Sequence, residues 1–410
     1  MKSWFAVGLV LSLTAALVLA ADDQPKPNAL TEKEVADGWL LLFDGETTFG
    51  WQTTTSEKDK SLRAEDGALV LSGKGASATF VTPCQSFELE FEYRSDGANR
   101  PRFLVWHTTP AADHTPTNDM ALPAHEKLRK EWGYVSFDVE NGKFHYKVAP
   151  PREKPSTSGR LDAPKNRLAT IQFQTDSTQE GKLYLRNVKL KPLDTKPLFN
   201  GKDLAGWKKY TSDDKRAKTE FSVSKQGWLQ LKNGPGDLQT ESQYADFLLQ
   251  IECRSNGKHL NSGVFFRCIP IQYQQGYEAQ IHNGWTDKPE KEYTIKKYDP
   301  KTNELKGEEK VKSAAMDYGT GAVYNRVPAR RQVAKDNEWF TMTVAAQGRH
   351  IATWVNGVQV VDWTDNRPVK DNARNGCKLE KGAISLQGHD PTTDLSFRNI
   401  RIADLSTEKK

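Results

Sequence analysis

Two stretches, LFDGETTFGW at residues 42–51 and LFNGKDLAGW at residues 198–207, share one pattern and decide the interpretation of the fold. Three further pairs follow in the same order: QSFELEFEYRSDG (85–97) with ADFLLQIECRSNG (245–257), GYVSFDV (133–139) with GYEAQIH (276–282), and LYLRNVKLKPL (183–193) with LSFRNIRIADL (395–405). A preserved order of matching segments indicates a tandem duplication. We expect the boundary in the Pro-flanked linker near residues 192–197.

Apolar residues alternate with polar ones inside each copy. Phe247, Leu249 and Ile251 share one face of such a segment, while Gln250 and Glu252 share the other. A period of two predicts half-buried strands, and no long amphipathic helix interrupts them. The sequence therefore predicts an all-β chain of two tandem β-sandwiches, at residues 35–193 and 198–405. The first copy is the shorter, because the second carries a charged insertion after residue 282.

Composition narrows the class of protein. The 410 residues are 37% hydrophobic and 27% charged, with a net charge of +5 and no sustained basic block. This excludes a disordered chain, a coiled coil and a polytopic membrane protein, and gives no reason to expect nucleic acid as a partner. Residues 1–20 have the basic start, apolar run and small end residues of a secretory signal. We expect a periplasmic or extracellular protein with no later membrane span; an uncleaved anchor is the alternative.

The four cysteines leave two interpretations open. Cys253 and Cys268 could face each other across a hairpin and form a disulfide, or all four, with Cys84 and Cys377, could be buried free thiols. Cys/His spacings typical of zinc sites are missing from the sequence. Phosphate-binding glycine loops, HExxH and GxSxG are missing too.

Polar residues share one face of several predicted strands in the second copy. Glu278, Gln280 and His282 alternate with apolar residues, as do Ser385, Gln387 and His389, and Arg267 is expected opposite Val264, Phe266 and Cys268. Such donors and acceptors suit a hydroxyl-rich ligand. The alternative is that this is the ordinary wet face of an antiparallel sheet.

Comparison of the two copies favours a site in the second. The aligned segments set Glu278 against Val135, Gln280 against Phe137, Arg267 against Val105 and Glu241 against Val81. Four polar residues that are apolar in the first copy predict a site in the second and a degenerate or accessory first copy. Residues present in both copies are interpreted as structural: Arg398 and Asn399 with Arg186 and Asn187, and Trp207 with Trp51.

Several motifs of the second copy together resemble the 3-keto-disaccharide hydrolase family. They are LFNGKDLAGW, QTESQYADFLLQIE, NSGVFFR, GYEAQIH, TGAVYN, WVNG, ISLQGHD and FRNIRI. The resemblance covers residues 198–405 in order and extends weakly over residues 42–193. It implies a concanavalin-like jelly roll in each copy. It also implies cleavage of glycosides oxidised to a ketone at C3, as by 3-keto-glucoside 1,2-lyases and 3-keto-2-hydroxy-glucal hydratases.

The chemistry implied by this resemblance needs a base near C2, an acid for the leaving oxygen and an electrophile on the C3 oxygen. Glu278 or His282 is the candidate base, and His389 and Glu241 are candidate acid–base groups. Arg267 or a divalent cation would polarise the ketone, and no other cofactor is expected. Substrate hydroxyls would be bound by three residues: Gln280, Gln387 and Tyr324.

Less specific interpretations remain open. Glu278 and Arg267 could form a cross-strand ion pair, and Tyr324 could pack beneath the insertion. The lysine-rich segment 288–312 predicts a solvated loop, which could act as a lid. The whole chain could be a lectin-like sugar-binding protein without catalysis. An ordinary glycosidase would need two carboxylates about 5–9 Å apart, for which no paired motif is present. The oligomeric state does not follow from the sequence.

Overall fold

A computed structural model describes residues 26–53, 61–96, 100–107, 118–123, 126–140, 143–149, 157–162, 168–210, 214–287 and 290–406. The predicted signal at residues 1–20 lies outside this range. One short helix, α1 (Glu32–Ala36), begins at a capping box in which Thr31 and Glu34 satisfy each other's backbone N–H groups. Almost all other regular structure is β-strand, as the alternating pattern predicts, and none of the described helices could cross a membrane.

The first copy supplies thirteen strands: β1 Leu40–Leu41, β2 Trp51–Gln52, β3 Leu62–Glu65, β4 Ala68–Ser72, β5 Ser77–Cys84, β6 Phe87–Ser95, β7 Arg102–His107, β8 Asn118–Ala121, β9 Gly133–Glu140, β10 Lys143–Ala149, β11 Thr157–Asp162, β12 Ala169–Gln174 and β13 Lys182–Pro192. The second supplies fifteen: β14 Lys196–Pro197, β15 Trp207–Lys209, β16 Glu220–Val223, β17 Leu229–Lys232, β18 Gly236–Tyr244, β19 Phe247–Ser255, β20 Ser262–Cys268, β21 Tyr277–Ile281, β22 Lys291–Tyr298, β23 Leu305–Ser313, β24 Phe340–Gln347, β25 His350–Val355, β26 Val358–Thr364, β27 Gly382–Gly388 and β28 Asp394–Asp404.

Each copy is a sandwich of a long sheet and a five-stranded sheet. The five-stranded sheets have the orders β2-β5-β12-β7-β8 and β15-β18-β27-β20-β21. These orders match strand for strand, and the long sheets match in the same way, so the thirteen strands of the first copy have counterparts in the second. Strands β22 and β23 are the exception within the described residues. The predicted all-β architecture of two tandem jelly-roll sandwiches is confirmed.

The strand order corrects one of the sequence alignments. GYVSFDV forms β9, which pairs with β6 in the long sheet, whereas GYEAQIH forms β21, at the edge of the five-stranded sheet. The counterpart of β9 is therefore β24, and that of β21 is β8. The alignment was wrong because both segments share a Gly-Tyr start and a period of two, which cannot distinguish the sheets.

The two copies share a sheet and a core. Leu41 of β1 bridges to Val358 of β26, so the long sheets join into one sixteen-stranded sheet. Trp354, on the second copy's β25, is fully buried in the hydrophobic cluster of the first copy, where Phe80 lies 6.5 Å from it. Asp44 of the first copy also pairs with Arg330 of the second at 2.8 Å. The copies are thus packed against each other.

Two other expectations are settled by the fold. Cys84, Cys253, Cys268 and Cys377 are all buried and unpaired, so the disulfide interpretation is wrong. The lysine-rich insertion was expected to be a loop, but its described part is the hairpin β22–β23. Tyr293 and Ile295 on β22 are buried, which gives the hairpin an apolar side despite its charged composition.

Candidate functional site

The outer face of the five-stranded sheet of the second copy carries the candidate site. Leu238, Val264 and Leu386 point into the main core, so alternate residues on the same strands point away from it. These outward residues are mostly polar, and the backbone register sets them in two adjacent rows: Gln239, Ser385, Phe265 and Glu278, then Asp237, Gln387, Gly263 and Gln280.

Glu278 is the most unusual of these groups. It is 4% exposed, and one oxygen, Oε2, accepts a hydrogen bond from Nη2 of Arg374 at 3.2 Å. Burial raises the pKa of this carboxyl to about 7, and the Arg374 guanidinium opposes the shift. A carboxyl with a pKa near neutrality can accept and release a proton under physiological conditions.

Gly263 makes space for this carboxylate. A Cβ atom on Gly263 would lie 2.8 Å from Oε1 of Glu278. The matching position in the first copy is Arg102, and the match of Glu278 is Asp119, because Leu104 and Phe265 occupy equivalent places in the register. Arg102 donates from Nε to Oδ1 of Asp119 at 2.8 Å. The first copy therefore retains a carboxylate but fills the adjoining space with an arginine.

This correspondence changes the comparison between copies. The counterparts of Glu278 and Gln280 are Asp119 and Ala121, instead of Val135 and Phe137 as the sequence alignment suggested. The pairing of Glu241 with Val81 agrees with the register. A carboxylate is thus present at this position in both copies. In the second copy the carboxylate is less exposed, and Gly263 leaves a space beside it that Arg102 fills in the first copy.

Asp317 brings several site residues together. Its backbone oxygen accepts from Nε2 of Gln280 at 3.0 Å, and its Oδ2 accepts from Nδ2 of Asn261 at 2.9 Å. Asp317 and the next residue, Tyr318, have φ angles of 50° and 71°. Two consecutive non-glycine residues in the left-handed region are strained, and such strain is concentrated at functional sites.

His389 joins the same network at the end of β27. Its Nε2 lies 3.4 Å from Nδ2 of Asn261, and its Nδ1 lies 2.9 Å from Oδ2 of Asp390. Because Asn261 donates and Asp390 accepts, this network assigns the proton to Nδ1. The His389 side chain is 40% exposed, so it is open to a ligand.

Tyr324 and His282 flank this cluster. The backbone N–H of Tyr324 donates to the Glu278 carbonyl at 2.9 Å, and its ring lies 5.2 Å from that of Tyr318. Burial raises the pKa of the Tyr324 hydroxyl, which therefore stays protonated. His282 is 8% exposed, its Nδ1 accepts from the Gly284 N–H, and burial lowers its pKa. Of the two candidate bases, Glu278 is the better placed to accept a proton, because Arg374 contacts only its Oε2, whereas Nδ1 of His282 already accepts from Gly284.

Arg267 does not lie on the site face. A β-bulge follows Phe265, and Arg267 adopts a φ of 49°, which turns its fully buried side chain away. The guanidinium donates to the carbonyls of Ala245, Gly348 and Lys378 and to Asp246. The expected face of Arg267 was wrong because a bulge breaks the period of two. Arg374 occupies the predicted place beside Glu278.

Glu241 is also separated from Glu278. It lies on β18, three strands from β21, which corresponds to about 14 Å at the usual strand spacing. Its half-exposed carboxylate pairs with Lys208 at 3.3 Å. The structure therefore does not bring Glu241 to the base.

Gln387 does face the site: it is 2% exposed, and its Oε1 has no hydrogen-bond partner among the described residues.

The loop at residues 269–276 folds back over the far end of this face. The N–H of Gln274 donates to Asp237 at 3.0 Å and that of Ile271 to Gln239 at 2.9 Å. The Gln274 carbonyl accepts from Nε of Arg374 at 2.9 Å. The loop thus buries Asp237, and burial raises the pKa of that carboxyl to about 7. It also orients the arginine that contacts Glu278.

Three residues of the site were missed from the sequence: Arg374, Asp317 and Asn261. Arg374 and Asn261 lie in loops or turns and Asp317 lies in a short 3₁₀ helix (Met316–Tyr318), where no periodic pattern reports the direction of a side chain. The sequence did offer a signal for two of them. Asn261 is the first residue of the motif NSGVFFR, and Asp317 lies just before the motif TGAVYN. For the predicted divalent cation, the described residues contain no cluster of three or more His, Cys, Asp or Glu side chains suited to a metal.

A known protein family matches most of the chain. The 3-keto-alpha-glucoside-1,2-lyase-like domain family matches residues 38–119 and 194–403, which is more than half of the chain. The chain belongs to this family. The matched segments contain the five-stranded sheet of the second copy and the first-copy strands as far as Asp119. Membership of the 3-keto-alpha-glucoside-1,2-lyase-like family supports a carbohydrate-related function.

Solved structures similar to this member of the lyase-like family cover about half of it. Two provisionally named glycosyl hydrolases from Parabacteroides distasonis share 20% and 24% identity, with TM-scores of 0.38 and 0.36. Each alignment covers 52% of this chain, and 94% and 100% of the respective structures. The carbohydrate-binding module CBM66 from Bacillus subtilis shares 14% identity over 48% of this chain and 93% of its own, with a TM-score of 0.28. No curated protein matches the chain.

Proposed function

We propose that this chain is a carbohydrate-active enzyme that cleaves 3-keto-glycosides by elimination across C1 and C2, followed by hydration. The observation that carries the proposal is the buried carboxyl of Glu278, which has a pKa near 7 and contacts Arg374. Such a group suits removal of a carbon-bound proton that a neighbouring ketone has acidified.

The reaction balances without an external oxidant. Glu278 takes the proton from C2, and the C–H electron pair forms an enolate with the C3 carbonyl. The enolate then reforms the ketone as a C1–C2 double bond forms and the C1–oxygen bond breaks. The departing oxygen takes up a proton. Addition of water across the C1–C2 bond completes a net hydrolysis.

Four residues of the site suit the remaining tasks. The Arg374 guanidinium can stabilise negative charge on the C3 oxygen, since a fixed cation in a buried site acts strongly on developing charge. The protonated Tyr324 hydroxyl is the candidate to protonate the leaving oxygen, and Nε2 of His389, which carries no proton, can accept one from the water that adds across C1 and C2. Gln387 offers its unpartnered Oε1 to a sugar hydroxyl. A divalent cation on the C3 oxygen stays an alternative that a chelator tests.

The test is turnover of a 3-keto-glucoside beside its unoxidised parent, followed by aglycone release and enone absorbance. We expect release from the keto substrate alone, and a loss of at least about 100-fold in Glu278→Gln, which removes the base. Asp119→Asn is the matched control, because Asp119 occupies the equivalent strand position in the first copy. Sugar binding without turnover of either substrate would instead favour the lectin-like alternative.

We also propose that the chain is exported to the periplasm or beyond, on the basis of the apolar run in residues 1–20. The prediction is that the mature protein lacks these residues. N-terminal sequencing of the protein from fractionated cells would check it. An intact Met1 on protein in the cytosolic fraction would contradict export.

A further inference from the structure

A cavity of about 660 Å³ lies beside the candidate site, within the usual size range of small-molecule pockets. It is bounded by the hairpin β22–β23 and by the turns at residues 325–326 and 374–375. Its lining includes Lys291, Lys296, Tyr318, Arg326, Trp363 and Arg374. Because Arg374 lines this cavity and also donates to Glu278, the cavity lies next to the proposed base.

The lining has more positive than negative charge. Its acidic residues are Glu292 and Glu308, and its basic residues are Lys291, Lys296, Arg326, Arg367 and Arg374. Arg367 pairs with Asp365, and Arg374 with Glu278. Glu292 lies 3.5 Å from Lys310, and Lys296 lies opposite Glu308 in the hairpin. Lys291, Lys296 and Arg326 form no ion pair with any described residue, and of these three only Lys296 has an acidic residue opposite it.

Arg326 is the most informative of these three cations. Its guanidinium is half-buried and donates to the carbonyls of Asn325 and Arg374, at 2.8 and 2.9 Å. Burial lowers its pKa to about 10, so it remains charged at neutral pH. A partly desolvated cation that contacts only carbonyl oxygens would be stabilised by an anion, and arginine binds carboxylates and phosphates through paired N–H groups.

We propose that this cavity is the leaving-group subsite and that it takes an aglycone carrying a negative charge, as a carboxylate, sulfate or phosphate. Arg326 and Lys291 contact the anion, and the rings of Tyr318 and Trp363 pack along the apolar part of the aglycone. Tyr318 lies 5.2 Å from Tyr324, which joins the cavity to the residues around Glu278. This inference rests on the proposed function, because it assigns the part of the substrate that leaves.

The test compares two 3-keto-glucosides, one of 4-hydroxybenzoate and one of its methyl ester. The two glucosides also differ in rate because their leaving groups differ chemically. The preference for the carboxylate is therefore defined as kcat/KM for the carboxylate divided by kcat/KM for the ester, and this preference is compared between wild type and each variant. We expect Arg326→Met to reduce the preference for the carboxylate by about tenfold, the loss of one charge-assisted contact. Addition of salt should lower the same preference in wild type, because salt screens an exposed part of the cavity.

Lys291→Met is a second variant, needed because Arg326 also supports the backbone at Arg374. Lys291 makes no such contact, so a lower preference in this variant cannot come from a displaced Arg374. Lys297→Met is the control: Lys297 is on the same strand, does not line the cavity and pairs with Glu309 at 2.7 Å. An unchanged preference in both Arg326→Met and Lys291→Met would overturn the inference.

Calorimetric binding of free 4-hydroxybenzoate separates the inference from the proposed function. Binding that weakens in Arg326→Met supports an anion subsite even if neither glucoside is cleaved, an outcome that would overturn only the proposed reaction. Turnover of both glucosides with no binding of 4-hydroxybenzoate and no preference for the carboxylate would leave the reaction and overturn the subsite.

Discussion

Glu278 is held between two opposing influences. Burial favours its neutral form, and Arg374 favours its charged form, so the pKa settles near 7. The group is then partly ionised at neutral pH, and small changes in its surroundings change the fraction that can act as a base. Two predictions at the scale of single residues follow from this balance and from the space beside the carboxylate.

The first prediction concerns pH. Because Glu278 must be ionised to act as a base, kcat/KM for a 3-keto-glucoside should fall about tenfold per pH unit below a midpoint near 7. Removal of the guanidinium in Arg374→Gln should raise that midpoint by about one unit or more, because an adjacent cation lowers the pKa of a carboxyl. A pH–rate profile of both proteins checks this, and a midpoint near 4 in wild type would contradict it.

The second prediction concerns Gly263. Its backbone conformation is open to alanine, but a Cβ would lie 2.8 Å from Oε1 and 2.9 Å from Cγ of Glu278. Gly263→Ala should therefore displace the carboxylate and lower kcat/KM by about 100-fold, the effect expected of about 1 Å of misplacement. Steady-state kinetics and thermal denaturation would be measured together. Full activity in a folded Gly263→Ala protein would show that the carboxylate does not need this space.

The sequence predicted the directions of some side chains of the site correctly and of others wrongly. The alternation around Glu278 and Gln280 predicted their shared face correctly, because a strand sets direction by parity. The same alternation predicted the site face for Arg267. Because Arg267 lies at a bulge and has a left-handed backbone conformation, its side chain points elsewhere. Arg374 approaches from a loop 96 residues away along the chain, and no local pattern encodes that contact.

At the scale of elements, one side-chain cluster recurs in both copies. Arg186 and Asn187 donate to the two oxygens of Glu92, as Arg398 and Asn399 donate to those of Glu252. The two asparagines have φ angles of 51° and 49°, at equivalent shifts in strand register. The sequence interpretation of these pairs as structural is consistent with the contacts. The cluster satisfies the polar groups where the ladder is interrupted.

The third prediction concerns this cluster. Glu252→Gln removes the charge and one acceptor oxygen, which should lower the free energy of unfolding by about 1–3 kcal/mol. Glu92→Gln should cost a similar amount in the first copy. Glu309→Gln, which breaks an exposed pair with Lys297, should cost under about 1 kcal/mol. Denaturant unfolding of the three variants would compare them, and equal effects in all three would contradict a structural role for the cluster.

Some features of the strands and hairpins could be predicted from the sequence, and others could not. The strands were expected from their period of two, and the duplication from matching segments. The assignment of GYVSFDV to the wrong partner arose because sheet membership depends on pairing between distant strands. The hairpin β22–β23 was expected to be a loop, since its lysines conceal the buried pair Tyr293 and Ile295.

At the scale of the whole molecule, the second copy contributes residues to the core of the first. Leu248, Ala345, Ala352 and Trp354 are buried in that cluster. The bridge between Leu41 and Val358 continues the hydrogen-bonded sheet from one copy into the other. Stability is therefore shared, although the candidate site belongs to one copy.

The fourth prediction follows from this shared core. Trp354→Ala should lower the free energy of unfolding by about 3–5 kcal/mol, because it leaves a large cavity. Both copies should lose stability together, giving one calorimetric transition in the variant as in wild type. Hydrogen exchange would report each copy separately. A shift confined to strands of the second copy would show that the copies unfold independently.

The sixteen-stranded sheet has one more consequence, which concerns cleavage of the chain. Residues 193–195 connect β13 to β14, and Leu193 is 36% exposed. A protease that cut there would break a covalent bond but leave the bridge at Leu41, the buried Trp354 and the ion pair of Asp44 in place. The two fragments should then stay together as a noncovalent complex, so that a nicked preparation would be visible on a denaturing gel and invisible to gel filtration.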